Sequence, residues 1–292
     1  MAEKDITEKI LESYNDVFAD IVNVLLFDGE QVIHPDELED QAPRSAYKAD
    51  GKIREIERDV AKRWTKNNIR FACIGLENQS EPDPDMPLRV ISYDGAEYRA
   101  QISKETRSLP RYPVVTLVLY FGHTRRWDAP KSLQDALTIP HEFSTLIPEY
   151  PIRLFEIAWL DPETVKKFRS DFRIVADYFV QKRINGNKYR PSRKAIKYVQ
   201  ETLQLLRVMT GDDRYEGLFT ESELKGGKKT MCDVLDRVEA KGMKKGKAEG
   251  KENERLSNIR SLMETMNLTS HQAMDALKIP ASEQSKYEAK LK

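Results

Sequence analysis

The sequence predicts an α/β fold: a mixed β-sheet with flanking helices, followed by a helical C-terminal extension. Three observations lead there. Residues 69–76 and 113–121 are apolar, β-branched runs of strand length, and the second is continuous enough to be buried on both faces. Ile10, Leu11, Tyr14, Val17, Phe18, Ile21, Val22 and Leu25 recur at helical spacing within residues 5–27. From residue 230 onward the chain is lysine-rich, with Gly242, Gly246 and Gly250 every four residues and helical patterns over 252–266 and 270–278.

The remaining elements follow in order. Residues 28–51 are rich in Pro, Gly and Asp and predict a loop or short strands. Residues 53–64 form a strand-like stretch that carries Asp59, and Lys66, Asn67 and Asn68 make a turn, since Asn tolerates the left-handed conformation. After the strand ending at Gln79, a loop through Pro82, Pro84 and Pro87 leads into a helix over 86–105, interrupted in pattern by Gly95. A strand is expected at 151–160, and helices are expected to begin near Pro162 and Pro191, because proline suits a helix's first turn. Residues 211–229 break the pattern and predict a linker between a domain over 1–210 and a lysine-rich helical region over 230–292. Within that region Thr269 and Gln272 have the spacing of a capping box. The two C-terminal helices suit a small helix-turn-helix-like unit or an oligomerisation element equally well.

Composition bounds the function classes. The 292-residue chain has 48 basic and 48 acidic residues, so net charge supplies no global attraction to nucleic acid. Two cysteines, Cys73 and Cys232, exclude a disulfide scaffold and fit a reducing compartment. The absence of a membrane-length apolar stretch and of a signal peptide predicts a soluble, cytoplasmic protein. The four histidines lack zinc-ligand spacing, and neither a phosphate loop nor a dinucleotide fingerprint is present. Local charge is more informative. Lys182, Arg183, Lys188, Arg190, Arg193, Lys194 and Lys197 occur without an intervening acid, with Tyr189 among them, a pattern suited either to DNA phosphates or to a solvated face. Residues 52–66 form a weaker basic stretch.

The sharpest chemical signal is Glu77-Asn78-Gln79. A mostly buried strand delivers a carboxylate and an amide to one face, and a divalent cation is a common compensator for such a carboxylate. A three-residue loop would pair Thr65 with Ile69 and set Asp59 opposite Gly75, roughly 7–8 Å diagonally from Glu77. A two-residue loop would turn Asp59 to the other face. Glu156, an acid within an apolar strand, is a further accessory candidate.

Arg58-Asp59-Val60, the segment 74–79 ending in Glu77-Asn78-Gln79, Pro82 through Val90 with Met86, Pro87 and Arg89, and Tyr93-Asp94 together resemble the recombination-promoting nuclease/putative transposase family of the PD-(D/E)XK superfamily. The resemblance extends over nearly the whole chain. It implies a restriction-endonuclease-like core and divalent-metal-dependent hydrolysis of DNA phosphodiesters, with Mg²⁺, or another divalent metal such as Mn²⁺ or Ca²⁺, as cofactor and DNA as partner. By position, Asp59 and Glu77 become metal ligands, the backbone carbonyl of Asn78 completes the coordination, and Gln79 takes the place of the superfamily's catalytic Lys. The resemblance also implies an accessory acid in the first helix, for which Asp16 and Asp20 are the candidates. Arg89 is expected either to orient the scissile phosphate or to tie its helix to the sheet. The alternatives are a catalytically silent DNA-binding protein and a homo-oligomeric interaction protein of the same fold.

Overall fold

A computed structural model describes residues 11–41, 44–49, 52–66, 69–103, 106, 108–186, 188–225 and 227–291. The chain divides into two units, Met1–Val234 and Leu235–Lys292. The first is built on a five-stranded mixed sheet in the order β1 (Leu38–Asp40), β4 (Val60–Lys66), β5 (Ile69–Gln79), β6 (Val114–Tyr120), β7 (Arg153–Glu156). β1, β4 and β5 are antiparallel neighbours, whereas β5, β6 and β7 run parallel. A separate hairpin pairs β2 (Arg44–Ala49) with β3 (Lys52–Glu57).

Helices cover both faces of the sheet. Along β6, Val118 and Tyr120 pack with Met86 and Val90 of α2 (Met86–Ala100). The strand's alternation sends the next residue, Phe121, to the opposite side, where it meets Phe172 and Phe179 of α4 (Phe172–Asn185). Helix α1 (Asn15–Phe27) buries Val17, Phe18, Ile21 and Val22, and the Phe18 ring receives the ammonium of the fully buried Lys62. β6 is therefore buried on both faces, as its unbroken apolar run predicts. Helix α3 (Pro162–Lys167) begins at its proline and is capped by Asp161, whose side chain accepts from the Glu163 N–H.

Several expectations need correction. The stretch 53–64 is not one strand: β3 ends at Glu57, Arg58 and Asp59 break it, and β4 starts at Val60 in a different sheet. The predicted turn residues Asn67 and Asn68 lie outside the described residues, but Lys66 pairs with Ile69, so the connection has two residues and not three. The parity this would destroy is restored within the hairpin. Trp64 pairs with Ala72 and Thr65 with Arg70, leaving Phe71 as the extra residue of a β-bulge. Residues 157–159 turn into a 3₁₀ helix, which shortens the expected strand at 151–160 to β7. No helix begins at Pro191. The chain there forms a short strand at Ala195–Ile196, and α5 (Val199–Thr210) starts later.

Residues 211–229 lie inside the first unit, where Tyr215, Leu218 and Phe219 are buried and Lys229–Thr230 pairs with Ala195–Ile196. Gly211 ends α5 in the left-handed conformation at φ 67°, which a residue with a Cβ adopts only with strain.

The glycine-spaced tail is a single helix, α6 (Met231–Met266), longer than the 252–266 pattern. In the second unit its C-terminal part packs with α7 (Ser270–Ala276) and α8 (Ala281–Leu291), the last not anticipated from the sequence. The unit's small core comprises Leu256, Ile259, Ala273, Met274, Ile279 and Tyr287. Thr269 and Gln272 form the complete capping box.

Candidate active site

The site grows from the carboxyl end of β5, the edge where parallel strands of open α/β sheets expose their ligand-binding loops. Alternation along β5 sends Gly75, Glu77 and Gln79 toward α2 and Asn78 to the other face. Glu77 is only 1% exposed. Its Oε1 accepts from Arg89 Nη2 on α2 in a short ion pair, and Gln79 Nε2 lies 3.4 Å from the same oxygen. Arg89 is held by two more groups: Nη1 donates to Asp83 Oδ2 at 2.8 Å, and Nε donates to the Tyr93 hydroxyl at 3.3 Å, one helical turn on. Burial opposes the charge on Arg89, but Glu77 beside it prevails and raises its pKa above the ordinary arginine value. Burial, followed by the negative charge of Glu77, pushes the Tyr93 hydroxyl up to about 12, so it stays neutral while accepting from Arg89.

Asp59 reaches this edge from the start of β4. The last β4–β5 pair is Val60 with Leu76, and Ala61, not Asp59, lies opposite Gly75, so Asp59 stands in the bend just before β4, beside the carboxyl end of β5. Its Oδ2 accepts from the Asn78 backbone N–H at 2.6 Å. Two carboxylates and an amide therefore converge at one strand end. The arrangement depends on what lies one residue back. Arg58 is buried and lies across Gly75, where an added Cβ would come within 2.8 Å of the Arg58 Cδ. It donates to Asp94 Oδ1 at 3.0 Å, and Asp94 also accepts from the Thr116 hydroxyl and the Tyr150 hydroxyl, each at 2.6 Å. This network anchors the break between β3 and β4, and thereby the backbone that carries Asp59.

The first helical segment contributes a residue that sequence reasoning missed. Glu12, fully buried just before α1, accepts a short hydrogen bond from Asn78 Nδ2, while Asn78 Oδ1 is buried without a hydrogen-bond partner. Asp16 and Asp20 are placed elsewhere. Asp16 binds Lys197 and Tyr198; burial opposes its ionisation, but these bonds outweigh that and hold its carboxyl below the ordinary aspartate range. Asp20 accepts from the backbone N–H groups of Arg169 and Ser170 and fixes the approach to α4. Glu12, Asp16 and Asp20 recur every four residues on one helical stripe, and that spacing was the available signal for Glu12. Glu156 also has a local task, accepting from Arg126 Nη1 and the Trp127 N–H, each at 2.8 Å, which pins the chain after β6.

The basic run is partly occupied. Arg183 donates to the Ala158 carbonyl and stacks on Trp159, Lys194 caps the carbonyls of Arg169 and Ser170, Lys197 pairs with Asp16, and Lys182 lies over the Tyr178 ring. Lys188, Arg190 and Arg193 are exposed. In the weaker basic stretch Arg58 and Lys62 are buried in ion pairs, whereas Lys66 is exposed and pairs with Glu37. Among the described residues, no group of three or more His, Cys, Asp or Glu side chains is arranged to hold a metal ion. Nor is any described helix long and apolar enough to cross a membrane.

A mixed sheet with helices on both faces, and a central strand that ends in acid-x-amide beside a second acid, defines a restriction-endonuclease-like core. Residues 51–212, more than half of the chain, match the family model described as "Putative transposase, YhgA-like". The chain belongs to that transposase-like family, which agrees with the resemblance carried by residues 58–94. No curated protein and no solved structure matches it significantly.

Proposed function

We propose that the chain is a divalent-metal-dependent DNA endonuclease. The observation that supports this most is the convergence of Asp59 and Glu77 at the carboxyl end of β5, where Asp59 Oδ2 accepts from the N–H of Asn78, the residue next to Glu77, at 2.6 Å. The donor set fits Mg²⁺, a hard cation usually held by one or two carboxylates together with substrate phosphates, and not by a closed protein cage. The Asp59 and Glu77 carboxylates would hold it, with the Asn78 carbonyl as a third oxygen. When bound, such an ion polarises the phosphate and lowers the pKa of water. Gln79, whose amide lies beside Glu77, orients a water by hydrogen bonding but adds no positive charge, so it works differently from a lysine in that place. Lys188, Arg190 and Arg193 supply exposed cations for the DNA backbone.

Asp59→Asn tests the reading. With Mn²⁺, cleavage should fall more than about 100-fold, while binding of a labelled duplex in Ca²⁺ stays within about threefold of wild type. Undiminished cleavage overturns the assignment. A second reading, a DNA-binding protein without turnover, draws support from the Arg89 guanidinium already seated on Glu77. It predicts duplex binding with no cleavage by wild type in any divalent metal.

A further inference from the structure

Glu77 and Arg89 do not form an ordinary buried pair. The carboxylate is almost wholly buried, whereas the Arg89 side chain is 38% exposed. The guanidinium also has two holds independent of Glu77: Nη1 on Asp83 and Nε on the Tyr93 hydroxyl. A planar fork with five N–H donors can release one acceptor and keep its place by the others. Asp83 is itself fixed, because its Oδ1 accepts from the Asp85 N–H at 2.9 Å in the turn before α2. Arg89 is thus tethered over the site whether or not it touches Glu77.

Resting on the metal reading above, we infer that Arg89 is an exchangeable counter-ion: it neutralises Glu77 while no metal is bound, yields that carboxylate to the divalent cation, and then presents its freed Nη2 to a substrate phosphate oxygen. The physical reason is competition. A buried carboxylate needs a positive partner, but a guanidinium and a divalent cation on the same oxygen repel each other strongly in a partly desolvated site. Arg89 moves by one hydrogen bond and no bond is made or broken covalently. Its role is positioning, and its phosphate contact suits the guanidinium's geometry.

The test is Mn²⁺ titration by calorimetry, together with thermal unfolding with and without Mn²⁺, on full-length wild type, Arg89→Gln and Glu77→Gln. Removing the competitor should tighten Mn²⁺ binding to Arg89→Gln by about tenfold. The metal-free form of that variant should melt lower than wild type, because Glu77 has lost its counter-ion. Mn²⁺ should then raise its melting temperature by more than it raises that of wild type. A purely structural salt bridge would lower stability equally with and without metal. Glu77→Gln should lose the Mn²⁺ signal, which locates it at this site. Unchanged or weaker Mn²⁺ binding by Arg89→Gln, with wild type binding normally, overturns the exchange but leaves the metal site standing. Folded wild type and Arg89→Gln that both fail to bind Mn²⁺ overturn the metal reading and the exchange together.

Discussion

Two arginine–carboxylate pairs join α2 to the sheet, and they are built for opposite purposes. In Arg58–Asp94 both side chains are only 5% exposed, and the carboxylate is shared among Arg58, Thr116 and Tyr150. In Arg89–Glu77 the carboxylate is buried but the guanidinium opens to solvent and leans on Asp83 and Tyr93. The carboxylate of the first pair accepts from three donors within the protein. The second stands at the carboxyl end of β5 with its guanidinium open to solvent. Chemically similar pairs with partners five residues apart on one helix thus differ in exposure: one holds the backbone that carries Asp59, and the other is the pair proposed above to exchange.

The largest effect expected from this contrast is on stability. Asp94→Ala strands a buried guanidinium and should cost about 3–5 kcal/mol in urea unfolding. Glu77→Ala should cost less, since Arg89 keeps Asp83 and can turn to water. Equal losses for the two variants would erase the distinction between a closed and an open pair.

A pH experiment sharpens it. The Cys73 thiol lies on the closed side, 3.9 Å from Arg58 Nη1, and burial, assisted by the charge of Glu97, pushes it up from the ordinary 9.0 to about 11. The folded state keeps this proton longer than the unfolded chain does. Its contribution is therefore fully present below about pH 8.5 and is lost as pH rises toward about 11. The stability difference between wild type and Cys73→Ala should shrink in favour of the variant over that range. A constant difference would mean that solvent reaches the thiol and that the network is not closed.

The smallest expected effect is a control in the second unit. Thr269→Ala removes a capping box and should cost that unit about 1 kcal/mol, leaving Mn²⁺ binding unchanged. Altered Mn²⁺ binding would show that the site is not confined to the first unit.

Much of this architecture was legible in the chain because the signals are local. The apolar runs of β5 and β6, the proline start of α3 and the Thr269 cap each act within a few residues. Acid-x-amide at the end of β5 placed Glu77 and Gln79 on one face by alternation alone. What stayed hidden was set at a distance or by irregularity. No local pattern marks Phe71 as a bulge, yet the bulge sets the β4–β5 register up to Val60, the residue after Asp59. Glu12 meets Asn78 across 66 residues, so periodicity could show its stripe but not which of three acids the sheet would meet. Glycines and charges around 211–229 masked Tyr215, Leu218 and Phe219, whose burial makes the segment part of the first unit. The basic run gave its charge correctly but not its engagement, because partners such as Asp16 lie far away in sequence.

The central claim is that Glu77 belongs to a metal-dependent nuclease centre, and nicking of supercoiled plasmid tests it most directly. Wild type and Glu77→Gln, purified side by side and both shown to be folded, are compared in Mg²⁺, Mn²⁺ and EDTA. The account predicts nicking by wild type in the metals alone and none by Glu77→Gln. Equal nicking by both proteins, or nicking that persists in EDTA, would contradict it.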